Sequence, residues 1–290
     1  MTLHPDPIAS STPTAAPPIF GRILCGVDGS PSALEAVRQA ALLAGPGAHL
    51  DLVCVREALG EGRHAQASIS DWRADAALAE ARDVAKELGA VCSRSIVSSS
   101  DPTARLMEEL GGNDHVAPAD LIALGQHLHH RLGGILLGST AATLIHRTET
   151  PVLMARGSRR EEWAPRVLLV ASDGSESATD AVEMAAHIAE RHGSQPVLVC
   201  VGQDRQSRGL RRRLAQQAEL LAEASGTEVA VLRPSGEAHK ELPRLAEELR
   251  ASLIVVGSRG TTGLHALGSV SERVAHSAPC SVLVARHPKS

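Results

Sequence analysis

The segment Arg22-Ile23-Leu24-Cys25-Gly26-Val27-Asp28-Gly29-Ser30 returns later as Arg166-Val167-Leu168-Leu169-Val170-Ala171-Ser172-Asp173-Gly174-Ser175. Leu52-Val53-Cys54-Val55 returns as Leu198-Val199-Cys200-Val201, and Pro151-Val152-Leu153-Met154-Ala155-Arg156 as Ser281-Val282-Leu283-Val284-Ala285-Arg286. Self-similarity that covers nearly all of residues 20–287 is a duplication. It restricts the fold to one that a half-chain can complete and that tolerates a second copy beside it. With 290 residues there is enough chain for two cores.

Each half alternates short apolar runs with helical periodicity. In the first, Ile23–Val27 reads as a buried strand that ends at Asp28-Gly29-Ser30-Pro31, where Ser30 can cap a helix with Pro31 in its first turn. Leu34, Val37, Ala41 and Ala44 carry that helix to Gly45-Pro46-Gly47. A strand over Leu50–Val55, an Ala-rich helix from about Asp71 to Leu88, a weaker strand over Val91–Val97, a short helix near Thr103–Leu110 and a strand ending at Gly125 follow. The second half predicts the same series, with strands over Val197–Val201, Thr227–Leu232 and Leu253–Val256. Strands that alternate with helices imply a parallel sheet. The fold class is therefore α/β, two tandem copies of an open parallel-sheet, Rossmann-like fold. The expected division is a flexible tail over 1–19, a first domain over 20–157, a charged linker over 158–165 and a second domain over 166–287. The terminal strands, Val152–Ala155 and Val282–Ala285, are the expected contact edge between halves, because unpaired edges invite pairing.

Composition narrows the function. The net charge of −4 is small, and Phe20, Trp72 and Trp163 are the whole aromatic complement. Single-stranded nucleic acid is usually held on aromatic platforms, so nucleic acid is not the expected partner. No apolar run approaches a membrane span, and no basic segment precedes an apolar one near the N-terminus. Five cysteines, an odd number, suggest reduced thiols and a cytoplasmic location, with Cys54 and Cys200 as small core residues.

The chemistry is expected where ligands lie in open α/β sheets, beyond the carboxyl ends of the strands. That rule gathers Asp173, Val201 and Gly257 at one rim, and Asp28, Val55 and Gly125 at the corresponding rim of the first half. The run Leu253-Ile254-Val255-Val256 stops at Gly257 and opens a loop with Gly260, Gly263 and Gly268 before the helical pattern Ser269-Val270-Ser271-Glu272. Glycines admit close backbone approach, and a helix start offers unpaired N–H groups to an anion. The same residues fit a plainer purpose, since Ser269-x-x-Glu272 is a capping box.

Gly257-x-x-Gly260, a spacer and Gly268-Ser269, with the words Gly-Ser-Arg-Gly and Gly-Ser-Val-Ser-Glu-Arg-Val, resemble the ATP-binding signature of the universal stress protein family. The family's usual spacer has nine residues and this one has seven. The resemblance implies ATP, with Mg2+, as ligand. It gives Gly257, Gly260, Gly268, Ser269 and Val270 phosphate-loop roles, Asp173 and Asp28 positions near the adenine, and Val201 and Val55 the family's valine. Arg259 could add charge beside a phosphate or stand exposed. As single residues, Asp173 and Asp28 read equally as Asx-turn carboxylates, and both valines as core. The first-half loop keeps the nine-residue spacer and Gly138-Ser139-Thr140 but has Leu128 where the second glycine belongs, so weaker occupancy is expected there.

His127, His129 and His130 read as solvated, or as lying near the phosphates, rather than as a metal site, and the run Arg205, Arg208, Arg211, Arg212 and Arg213 as a solvated helix face. No nucleophile–base pair is evident, so any ATP hydrolysis is expected to be slow. The resemblance therefore implies a nucleotide-sensing regulator of the stress response, able to pair with a second copy through sheet edges or with a regulatory protein. Its rival is an interaction protein that binds no nucleotide.

Overall fold

The computed structural model describes residues 18–57, 64–99, 101–111, 117–126, 139–157, 163–202, 207–258 and 268–286. In the first half the chain runs β1 (Arg22–Gly26), α1 (Pro31–Ala44), β2 (His49–Glu57), α2 (His64–Glu87), β3 (Val91–Ser99), α3 (Pro102–Leu110), β4 (Leu121–Gly125), α4 (Ser139–Arg147) and β5 (Val152–Ala155). The second half repeats the order as β6 (Val167–Ala171), α5 (Glu176–His192), β7 (Gln195–Val199), α6 (Arg208–Ser225), β8 (Ala230–Leu232), α7 (Ala238–Glu248), β9 (Leu253–Gly257), α8 (Ser269–Ser277) and β10 (Ser281–Ala285). The expected Ser30 cap forms, its Oγ accepting from Ala33 N at 3.2 Å, and Ser175 Oγ accepts likewise from Ala178 N at 3.2 Å.

One sheet of ten strands holds both halves, in the order β3-β2-β1-β4-β5-β10-β9-β6-β7-β8. Pairing is parallel within each half. The halves meet where β5 runs antiparallel to β10, with Leu153 opposite Leu283. Strand residues alternate between two buried layers. Ile23 and Cys25 join side chains of α1, α2, α5 and α6, while Leu24 joins those of α3, α4, α7 and α8. Because the joint is antiparallel, the carboxyl ends of β1, β2, β3, β4 and β5 face one end of the sheet, and those of the second half face the other.

Several local readings are corrected by backbone pairing. β7 starts two residues earlier than its apolar pattern predicts, because Gln195 N donates to Arg166 O at 2.7 Å and opens the ladder there. β8 starts later, because Ser225 Oγ lies 3.0 Å from Thr227 Oγ1 and accepts from Thr227 N at 3.3 Å, holding a turn after α6. The linker is not solvated at its far end: Trp163 is buried and its Nε1 donates to Ser252 O at 3.1 Å. Ile19, assigned to the tail, packs on the core, and its N–H donates to Ala44 O at 3.3 Å. The rest of the predicted tail, residues 1–17, lies outside the described residues.

Candidate functional site at the rim of the second half

In each half the strand order reverses direction between the first and fourth strands, β1 and β4 or β6 and β9. Connections leave such a point to opposite faces and open a crevice between the two strand ends. Asp173 and Gly174 follow β6 directly, and Gly257 ends β9, so both walls of the second crevice come from predicted site residues.

The β6 wall is a fixed turn. Ser172 is buried; its Oγ donates to Gln217 Oε1 at 2.7 Å and accepts from Gly174 N at 3.1 Å. Gln217 Nε2 in turn donates to Thr179 Oγ1 at 3.3 Å, which ties α6 and α5 to the turn. Asp173 Oδ1 accepts from Ser175 N at 2.9 Å, the Asx-turn that was the plainer reading of this residue. Gly174 takes a φ of 74°, which glycine adopts without strain.

On the β9 wall the backbone is tightly packed. A Cβ at Gly257 would stand 2.3 Å from Ser177 O and 2.6 Å from Ser177 Oγ, so the first turn of α5 lies directly on the strand end. Gly257 O accepts from Ser271 Oγ at 2.6 Å, and Ser258 O from Gly268 N at 2.6 Å. These two bonds pin the start of α8 beside the end of β9, whatever path residues 259–267 take between them. Ser271, which the sequence reading passed over, is therefore an anchor of the site. The signal that could have found it is its place as the third residue of the helix, buried beneath an exposed Ser269 and Val270.

The capping-box reading of Ser269 is overturned. The N-cap is Gly268, with no side-chain cap bond, and Ser269 is already the first helical residue. Glu272 does not reach back to the helix start, because its Oε1 lies 3.2 Å from His146 Nε2 on α4 of the first half. Among the described residues, no side chain thus caps the first turn of α8, and an exposed serine hydroxyl lies beside its amide donors.

Val201 is buried two residues past β7, in the layer under α7 and α8, and Val55 is half-buried in β2. The side chain of Val201 is core, and that of Val55 packs against that core. Arg259, Gly260 and Gly138 lie outside the described residues, as do Leu128 and the three loop histidines. Of Ser139 and Thr140 only their place at the start of α4 is described. In the first half, Asp28 Oδ1 accepts from Ser30 N at 2.9 Å and Ser30 Oγ at 2.6 Å. A Cβ at Gly125 would lie 2.3 Å from Ser32 C, the same close crossing as at Gly257. Gln126, next in the chain, is buried and donates to Ala275 O of α8 at 2.5 Å. Among the described residues no group of three or more His, Cys, Asp or Glu side chains is arranged to hold a metal ion.

The model of the universal stress protein family matches residues 20–156 and again 165–286. A universal stress protein of Mycolicibacterium smegmatis is 32% identical over 183 residues, covering 58% of this chain and 62% of that protein, less than two thirds of its length. Universal stress protein YxiE of Bacillus subtilis is 30% identical over 146 residues, 41% of this chain and 97% of that one. A solved universal stress protein from Archaeoglobus fulgidus has a TM-score of 0.74 at 24% identity, covering 92% of this chain and 99% of that chain, a likeness of fold.

Proposed function

The chain belongs to the universal stress protein family, with two such domains in tandem, and we propose that it binds ATP at the rim of the second half and works as a nucleotide-sensing regulator of the stress response. The observation that carries this reading is the start of α8, pinned beside Gly257 by Ser258 and Ser271, with first-turn amides that no side chain among the described residues caps. Backbone N–H groups at a helix start, in a crevice at a topological switch point, suit a phosphate chain. The hydroxyl of Ser269 adds one donor, and Gly260 and Arg259 would complete the cradle. The base would lie toward the Asp173 turn and Val201, against aliphatic and backbone surface.

Mg2+ fits this site only as a companion of the phosphates. Glu272, the acidic residue of the first turn, is engaged by His146. The ion would keep its waters and ride on phosphate oxygens, as Mg2+ commonly does, where it would offset their charge. Catalysis is not part of the proposal, since the sequence offers no nucleophile–base pair beside the loop. The first half is the weaker site in this reading, since Leu128 replaces a loop glycine. No helix among the described residues is long and apolar enough to cross a membrane, and a cytoplasmic setting belongs to the proposal. β5 and β10 are spent on joining the halves, so a second copy would have to use β3 or β8.

Two observations favour a second reading, an interaction protein without nucleotide. Gly257 is required by its contact with Ser177, and Asp173 already serves a turn. Equilibrium dialysis with labelled ATP separates the two. Retention at micromolar ATP that drops in Gly260→Val supports the nucleotide reading. No retention, or retention untouched by Gly260→Val, favours the second.

A further inference from the structure

Helix α6 begins with a charge order that its own backbone opposes. Arg208, Arg211, Arg212 and Arg213 crowd its first turns, its first turn holds no acidic residue, and Glu219 and Glu223 come only further along. A helix start carries partial positive charge, so this arrangement is the reverse of the stabilising one. All four arginines are exposed, and among the described residues Arg208, Arg212 and Arg213 make no ion pair. A solvated face explains an ordinary basic run, but it does not explain why the charge concentrates where the helix disfavours it.

Position supplies the explanation. α6 leaves the carboxyl end of β7, so its first turns open on the same rim as Asp173 and Gly257. Arg213 lies over the β6 turn itself: a Cβ at Gly174 would be 3.2 Å from Arg213 Nε and 3.7 Å from Arg213 Nη2. The matching turn in the first half differs: among the described residues a Cβ at Gly29 would meet Ala77 Cβ at 3.3 Å and no cation. The crevice of the second half is therefore flanked by two attractors of negative charge, the start of α8 on one wall and Arg213 on the other. Asp173, the carboxylate of that turn, has its Oδ1 committed to Ser175 N.

Resting on the reading of this rim as a nucleotide site, we propose that its preferred ligand is an adenine nucleotide phosphorylated at two places. The 5′ phosphate lies at the start of α8, and a second phosphate, carried on the ribose, is held by Arg213. A guanidinium grips a phosphate through two parallel N–H donors, a geometry that lysine cannot copy. Arg208 and Arg212 raise the local potential and draw the dianion in.

Calorimetric titration of the full chain with ATP, AMP, adenosine 2′,5′-bisphosphate and adenosine 3′,5′-bisphosphate tests this. One of the bisphosphates is expected to bind about tenfold more tightly than AMP, the worth of a charge-assisted contact. Arg213→Ala is expected to erase that advantage while leaving AMP affinity within about twofold, and Arg213→Lys to restore only part of it. Arg213 is exposed, so both variants should fold, and their circular dichroism verifies it. AMP and ATP binding with no bisphosphate advantage, or an advantage that survives Arg213→Ala, overturns this inference alone. Failure of every nucleotide to bind overturns it together with the nucleotide reading.

Discussion

A methyl group at Gly257 would come within 2.3 Å of Ser177 O, and one at Gly125 equally close to Ser32 C, so alanine at either position forces a helix start off a strand end. Overpacking of this kind costs about 1–3 kcal/mol. Gly257→Ala and Gly125→Ala are each expected to lower the urea midpoint at unchanged slope, in the absence of any ligand. A loss of ATP affinity in Gly257→Ala would then say little about phosphate. Ser269 separates the two roles. It caps nothing and is exposed, so Ser269→Ala should change stability by less than about 0.5 kcal/mol, as surface substitutions usually do. Its ATP affinity should drop about tenfold, the worth of one hydroxyl donor to a charged oxygen. Unchanged affinity in a calorimetric titration would remove Ser269 from the site. The glycine pattern could be read from the chain, but the residues that make glycine necessary could not, because Ser177 lies in another element and meets Gly257 only after folding.

At the scale of elements, the helices that open at the two rims are each clasped at their far ends by the opposite half. Arg286, buried just past β10, donates to Ile145 O and Thr148 O at the end of α4. Arg156, just past β5, donates to Ala278 O at the end of α8 and to Gln126 Oε1 at 3.1 Å. A cation suits the carbonyls of a helix end. Ser281 Oγ adds a buried bond across the joint to Gln39 Oε1 at 2.6 Å. Arg286→Ala removes two charge-assisted bonds from a buried setting and should cost about 2–3 kcal/mol, read as a lower midpoint in denaturant unfolding. A midpoint equal to the wild type would mean that the clasp adds nothing to the joint. The Ala-Arg ending of both terminal strands was visible in the repeat, and so was their pairing. The arginines' partners were not, because nothing in local sequence connects Arg286 to carbonyls at positions 145 and 148. Apolar patterning also misplaced β7, since Cys200 and Val201 are as buried beyond the strand as residues within it.

Over the whole molecule, the antiparallel joint turns two copies of one fold into a continuous sheet whose rims face opposite ends. Two nucleotides could not meet across the joint, and a difference between the rims costs the fold nothing. That freedom is consistent with a second rim that has Arg213 at its turn where the first has Ala77. The duplication, the parallel sheets and the rim membership of Asp173 and Gly257 were legible, because burial periodicity and turn chemistry are local. The anchoring bond of Ser271, the place of Arg213 over the β6 turn and the clasp of Arg286 were not, because each depends on an element remote in the chain. Hydrogen–deuterium exchange with and without ATP tests the central claim most directly, since it reads the amides that would hold the phosphates. Saturating ATP is expected to slow exchange in the peptide spanning residues 268–273 and in the turn at residues 172–175. Exchange at the start of α8 that is identical with and without the nucleotide would contradict it.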